Sequence, residues 1–417
     1  MLERVLTLML NKEPILAIGI ILPQDNRRTV SFYFSNPEDY SINFQKPKKP
    51  HTSEKLTVSV HDGDIKINKI KMNNSTNGVT IHDVPAGRNF HWKKFIDVTL
   101  PGNLFITNRN DKLMVINLVP LEQYLASVAV SEMSSSCPDE FLIAQSITAR
   151  SWILAGTEKK HSNLGLDACN DDCCQRYQGI SQQSIQSIKT VEKTCGQVLT
   201  FDNKICDARY SKSCGGITEN CENVWNMAPK PYLKSVFDGQ NRLQTVDWDC
   251  WLSEPQNSFC SPKYIDEKYL TKFLGNVDES GQYFRWKNCY TQQIFCEFFS
   301  KKINESVSHI KNIDILNRGE SGRINKLNLK YQLDDGSKKS LILNSEYDIR
   351  STLHPSFLCS SAFILKLDES NIELIGGGWG HGVGMCQIGA LGMALNDYSA
   401  QEILSHYFQG TLLKKIY

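Results

Sequence analysis

Pro120-Leu-Glu-Gln-Tyr-Leu-Ala-Ser-Val-Ala-Val-Ser-Glu-Met133 is the stretch at which the chain changes period. Leu121, Tyr124, Leu125 and Val128 recur at helical spacing, and the pattern runs out in a serine-rich turn at Ser134. A second helix opens in Cys137-Pro138-Asp-Glu-Phe-Leu-Ile-Ala-Gln145-Ser-Ile-Thr-Ala-Arg150-Ser-Trp152. Pro138 suits the first helical position, Asp139 and Glu140 suit the positive helix end, and Ser136 or Cys137 caps it. Upstream, from about Leu16 to Leu118, short apolar runs alternate with turn residues. Runs beginning at Ala17, Val30, Leu56 and Leu113 read as β-branched strands, and Gln45 to Lys55 reads as a polar, proline-broken loop. Beyond Asn170 short strands return near Val198 and Tyr232. The expectation is an α+β chain: a β-rich N-terminal domain over residues 1–110, then a mixed helix-and-sheet region over 111–417. Residues 239–330 are expected to form an insertion or accessory layer, with a helix around Tyr290 to Ile303.

Near the C-terminus stands Gly376-Gly-Gly-Trp-Gly-His-Gly-Val-Gly-Met385, followed by Cys386-Gln387-Ile388-Gly389-Ala390 and a helix-like run to Leu395. In an extended backbone Trp379, His381 and Val383 share one face, and the glycines let another molecule approach the main chain. The segment is no phosphate cradle, because the P-loop lysine and the G-x-G-x-x-G spacing are both absent.

Bulk properties exclude several classes. The 417 residues are 41% hydrophobic, enough for a substantial core and two or more domains. Forty-six basic and 45 acidic residues give a net charge of +1, so no global field favours nucleic acid or an anionic membrane. No apolar run is long enough to span a bilayer. Val5 to Leu10 is short for a signal-peptide core, Glu3 lies in its flank and no small-x-small cleavage site follows. Fourteen cysteines permit bridges, yet a chain of this length folds without them and unpaired buried Cys behaves as a small hydrophobe. Free thiols and bridges both remain open for Cys195, Cys206, Cys250, Cys260, Cys289 and Cys296.

Three further blocks accompany these: Cys174-Gln-Arg-Tyr-Gln-Gly179; Ser213-Cys-Gly-Gly-Ile-Thr218-Glu219 with Val224-Trp225; and Ile403-Leu404-Ser-His-Tyr407. Together and in this order, the blocks resemble the stage II sporulation protein D / LytB amidase-enhancer (SpoIID/LytB) family. The resemblance implies a SpoIID-type catalytic region with a glycan cleft, working on peptidoglycan in the cell envelope or periplasm. Enzymatic members of that family are lytic transglycosylases, which cleave glycan strands stripped of stem peptides between N-acetylmuramic acid and N-acetylglucosamine. The other reading is a non-catalytic wall-binding module that activates a cell-wall amidase.

Glu132 matches the family's catalytic glutamate. It also ends a helix, where the macrodipole disfavours a decorative carboxylate and suits a general acid. Arg150 shares a helix face with Ile143, Ile147 and Leu154, so it either snorkels or pairs with an acid. A catalytic role and a structural salt bridge both fit. Tyr210, Lys212, Thr218 and Glu219 surround a Gly-Gly turn and can hydrogen-bond sugar; family members often place Ser or Thr where this chain has Cys214. Trp379, His381 and Gln387 complete the expected substrate contacts, in one cleft with Glu132. Glu219 is the second acid to suspect should the enzyme be a hydrolase. Some family members hold zinc with two His and two Cys where this chain has His161, Cys169, Cys173 and Cys174. Here Cys173 replaces the second histidine and His161 lies two residues before the matching position, Asn163. Such a set still suits structural zinc, whereas the adjacent cysteines could instead bridge elsewhere. The chemistry itself needs no cofactor.

Overall fold

The computed structural model describes residues 12–44, 49–50, 53–60, 67–72, 77–88, 90, 93–158, 160–240, 246–254, 257–275 and 282–417. Met1 to Leu10 and much of the expected loop from Gln45 lie outside these. The chain is a mixture of strands and helices, as expected, and divides into two compact units. The first comprises residues 1–207 with 273–277 and 413–417; the second comprises 208–272 and 278–412.

The strands of the first unit include β1 (Ile15–Ile21), β2 (Thr29–Phe34), β3 (Tyr40–Phe44), β4 (Lys49–Pro50), β5 (Lys55–Ser59), β6 (Ile67–Met72), β7 (Val79–Ala86), β8 (Lys94–Leu100), β9 (Asn103–Arg109) and β10 (Lys112–Pro120), with β11 (Ala168–Cys169) further on. They form a seven-stranded sheet, β11-β1-β10-β9-β6-β3-β4, and a four-stranded sheet, β5-β2-β7-β8. In β2 the period-2 pattern buries Val30, Phe32 and Phe34. The expected break at residue 110 proves to be the tip of the β9–β10 hairpin. Asn110 and Asp111 both take left-handed φ, +54° and +60°, which a two-residue primed turn requires of its central pair.

From β10 the chain passes directly into α1 (Leu121–Glu132), and α2 (Asp139–Ala155) and α3 (Ile185–Lys193) follow. Apart from Glu122 and Gln123, every residue of α1 is buried, so this helix is enclosed on all sides. The parallel pairing of β1 with Ala168–Cys169 ties the helical part to the large sheet. That tie is the physical reason the first unit extends well beyond the β-rich segment. Arg88 adds a buried clamp, pairing with Asp25 and Asp171 and donating to Asn170 Oδ1 at 2.8 Å.

The second unit holds two three-stranded antiparallel sheets. One orders Arg285–Thr291, Asn371–Gly377 and Phe363–Leu367; the other orders Val307–Arg318, Ile324–Leu333 and Lys338–Leu343. The helix Gln292–Ile303 packs Phe295 and Phe299 into a core with Trp286, Leu327, Ile349 and Leu374. The expected helix is therefore present, although Tyr290 belongs to the preceding strand. Within residues 239–330, the strand Arg285–Thr291 pairs along its length with Asn371–Gly377, which leads into the glycine-rich segment.

Candidate functional site

Glu132 closes α1. Its neighbour Met133 turns extended, φ −137° and ψ 160°, pairs with Leu274 and ends the helix. Only 7% of Glu132 is exposed, and its Oε1 accepts the Arg176 N–H at 3.0 Å. The Arg176 guanidinium grips Asp172, one contact being Nη2 to Oδ2 at 3.2 Å. Burial pushes the Asp172 carboxyl up to about 7. Arg176 opposes the rise, while the negative charges of Glu132 and Asp171 add to it.

Four further hydrogen bonds fix the segment around Arg176, two to α1, one to β10 and one to α2. Tyr124 Oη donates to Gln175 Oε1 at 3.0 Å, and Gln178 N–H donates to Ser131 Oγ at 3.1 Å. Tyr177 Oη donates to Asn117 Oδ1 at 2.7 Å and Gln175 Nε2 to the Ala149 carbonyl at 3.2 Å. Gly179 then passes so close to the next strand that a Cβ there would lie 2.0 Å from the Thr99 carbonyl oxygen. The Cys174-to-Gly179 block is thus the brace that holds Glu132 in place.

Arg150 requires a correction. It is fully buried and forms a fork with Glu122, Nε to Oε1 at 3.0 Å and Nη2 to Oε2 at 2.5 Å. It also donates to the Gln197 carbonyl and to Thr194 Oγ1, while Glu122 accepts from Gly196 N–H and from the Tyr417 hydroxyl. Glu122 and Glu132 are ten residues apart on α1, about 15 Å at the helical rise. Arg150 therefore joins helices to the C-terminus as a structural ion pair and does not serve Glu132.

His161, Cys169, Cys173 and Cys174 come together, their ligand atoms all within 4.8 Å of one another. Cys169 Sγ lies 3.1 Å from Cys173 Sγ, which is 3.6 Å from His161 Nε2. The shared thiol hydrogen bonds favour a thiolate at Cys174, held down to about 4, and push the Cys169 thiol up. One nitrogen and three sulfurs are a donor set of the kind a closed structural zinc site uses. All fourteen cysteines are free thiols.

The remaining candidates belong to the second unit. The glycine-rich segment is not an extended strand, because Gly378, Gly380, Gly382 and Gly384 take φ between +73° and +91°. At Gly384 a Cβ would lie 2.1 Å from the Arg209 carbonyl oxygen, so side chains are excluded there by contact as well as by φ. Val383 is consequently fully buried, whereas Trp379 and His381 are half-buried. The Trp379 ring meets Tyr283 at 4.8 Å; His381 meets Trp225 edge-on at 4.8 Å, and Arg209 lies 3.8 Å over that indole. His381 Nδ1 accepts the Val383 N–H at 3.1 Å, which assigns the ring proton of the neutral form to Nε2.

Tyr210 is half-buried in a short parallel pairing with Met385–Cys386; Lys212 and Gln387 are buried, and the Lys212 carbonyl accepts from Ile388 N–H. Thr218 and Glu219 are corrections. Thr218 Oγ1 is engaged with the strand-like segment opposite, accepting the Val236 N–H at 2.7 Å. Glu219 is fully buried and accepts five hydrogen bonds: from Asn220, Glu320 and Ser321 N–H, from Asn223 Nδ2 and from Ser321 Oγ. Both side chains hold loops and neither is presented to a sugar.

A family model for the stage II sporulation protein, SpoIID, matches residues 109–201. That stretch of the chain is similar to SpoIID proteins. A second model, described as a domain of unknown function (DUF8618), matches residues 219–384. An uncharacterised protein of Brachyspira hyodysenteriae is 28% identical over 74% of this chain and 70% of its own length. The stage II sporulation protein D of Bacillus amyloliquefaciens is 28% identical over 70% of this chain and 73% of its own. The amidase enhancer of Bacillus subtilis is 28% identical over 69% of this chain, but only 40% of that longer protein is covered.

The SpoIID match includes Glu132, Arg150 and the His161–Cys174 cluster, whereas Trp379 and His381 fall within the second match. Sequence reasoning missed Asp172 and Arg176, although Arg176 lies inside a quoted block. The available signal was an acid and a base four residues apart immediately beside the cysteine pair. No helix among the described residues is long and apolar enough to cross a membrane.

Proposed function

We propose that this chain is a lytic transglycosylase of the cell envelope, cleaving denuded peptidoglycan strands between N-acetylmuramic acid and N-acetylglucosamine. The observation that carries the reading is Glu132: a buried carboxylate at the end of an enclosed helix, held through Oε1 by the Arg176 N–H. Glu132 delivers its proton to the glycosidic oxygen as the bond to the muramic acid C1 breaks. The resulting carboxylate then takes the proton of the muramic acid's own C6 hydroxyl, whose oxygen closes onto C1 as an anhydro ring. The proton returns to Glu132, and one carboxylate suffices because the nucleophile is already tethered. A hydrolase normally needs a second acid, and the enclosure of Glu219 by five donors speaks against that residue filling the role. Tyr210, Lys212, Trp379, His381 and Gln387 are the proposed glycan contacts of the second unit. His161, Cys169, Cys173 and Cys174 would hold a zinc ion that fixes the loop before the Cys174–Gly179 brace, with no part in proton transfer.

Replacing Glu132 by Gln should leave binding to denuded strands intact and abolish anhydro products in mass spectrometry, because an amide cannot carry the proton. Undiminished turnover would remove Glu132 from the mechanism. The Bacillus subtilis relative's name, amidase enhancer, favours a second reading: activation of an N-acetylmuramoyl-L-alanine amidase without glycan cleavage. Wild-type protein that forms no anhydro product yet stimulates such an amidase would decide for it.

A further inference from the structure

The second unit gathers another set of metal-ligand groups. Cys214, Asp238, Cys260 and Cys386 are all buried, and one ligand atom from each lies within 4.8 Å of all the others. Cys214 Sγ is 3.7 Å from Cys260 Sγ and 3.4 Å from Asp238 Oδ2. Tetrahedral zinc–sulfur bonds of about 2.3 Å place sulfurs roughly 3.8 Å apart, so the spacing already suits a central ion.

Backbone N–H groups are aimed at two of the sulfurs. Cys386 is the N-cap of the helix Gln387–Leu395, and its Sγ accepts from Gly389 N–H at 3.3 Å and Cys214 N–H at 3.2 Å. Cys214 Sγ accepts from Gly216 N–H at 3.3 Å. Asp238 Oδ1 accepts the Tyr407 hydroxyl at 2.6 Å and Oδ2 the Cys260 N–H at 3.0 Å, an outer shell that orients the carboxylate. Two guanidiniums reach the adjoining turn, Arg323 at the Cys214 carbonyl and Arg285 at the Gly215 carbonyl, both 3.1 Å or less. They supply positive charge beside a set that, with a divalent ion, keeps a net charge of −2.

Buried carboxylates are normally paired with a cation or coordinate a metal. The nearest cationic candidate for Asp238 is His406, whose Nε2 lies 3.9 Å from Oδ1 and has no hydrogen-bond partner. A buried carboxylate gathered with three thiols makes a poor core and a good ligand set.

We infer that Cys214, Cys260, Cys386 and Asp238 bind a thiophilic divalent cation of the zinc class, as a closed structural site distinct from the His161–Cys174 cluster. Binding displaces to solvent the protons carried by the three thiols and the carboxyl and involves no change of oxidation state. The inference is independent of the glycan-cleaving reading, since neither uses a residue of the other.

The test uses the full chain purified without oxygen, with zinc counted by plasma mass spectrometry. Cys173→Ser/Cys174→Ser removes ligands of the loop cluster. This variant should retain about one zinc per chain and lose it when Cys260→Ala is added. A folded double variant that carries no zinc overturns the site. Should the variants fail to fold, differential alkylation of the wild type replaces them. Cys214, Cys260 and Cys386 becoming reactive on chelation, and protected again when Zn²⁺ is restored, supports the site. Reactivity indifferent to chelator, or a Cys214–Cys260 disulfide in the freshly purified protein, overturns it.

Discussion

The two cysteine clusters have similar donor chemistry and opposite architecture. His161 and Cys173 are twelve residues apart, and the first cluster spans one short stretch of chain about the buried strand residue Cys169, with His161, Cys173 and Cys174 only half-buried. Cys214 and Cys386 are 172 residues apart, and the second cluster draws four separate segments into a fully buried point. A local cluster closes a short loop and leaves the rest of the unit largely indifferent to it. A nonlocal cluster ties together segments far apart in the chain, so its loss propagates.

Three substitutions would break or sharpen this contrast. The largest effect is expected from Cys386→Ala, which removes a ligand, the N-cap of a helix and two N–H···S bonds at once. Denaturant unfolding of the metal-loaded protein should show a loss above about 4 kcal/mol, the exceptional end of single substitutions. A loss below ~1 kcal/mol would mean that the cluster does not organise the second unit.

Next is Glu219→Gln, which keeps the shape and removes the charge. Its amide nitrogen would face donors, and a buried acceptor of five hydrogen bonds cannot be replaced by a carboxamide without leaving some unpaired. A cost of about 2–3 kcal/mol is expected in the same assay, from lost hydrogen bonds to a charged group. The identical change at Glu132 should instead leave stability nearly untouched while abolishing chemistry. Equal activity losses from both, without instability at 219, would restore Glu219 to the site.

The smallest global effect should come from Cys174→Ser. Zinc content should fall by one per chain while denaturant stability drops by no more than about 1 kcal/mol, because only a surface loop is released. Hydrogen exchange should quicken near residues 161–174 and remain unchanged in the second unit. A collapse of the whole protein would show that the loop cluster, too, is a keystone.

Much of the framework was legible along the chain. β2, β5 and β10 lie where β-branched runs predicted them, and α1 and α2 follow the apolar spacing from Leu121 and the Pro138 signal. Glu132 and the loop cysteines were legible for a related reason: each belongs to a short contiguous block. The alternation of Trp379, His381 and Val383 was misread, since pattern rules assume ordinary φ and four glycines there take left-handed values. Arg150 and Glu219 looked like site residues because a buried charge and an active-site charge have the same signature in sequence.

What the sequence determined by itself was therefore periodic or local: strand and helix placement, a helix-ending acid, a cysteine-rich loop and the likeness to SpoIID proteins. What only the tertiary structure decided was partnership. Arg150 was assigned to Glu122, Arg176 to Glu132 and Asp172, Glu219 to Ser321, and Asp238 to three distant thiols. Secondary structure follows from forces between residues a few positions apart, which a linear string records. The partner of a buried charge is chosen by the low dielectric of the interior and by which segments the fold brings there, and neither is written in the neighbouring residues.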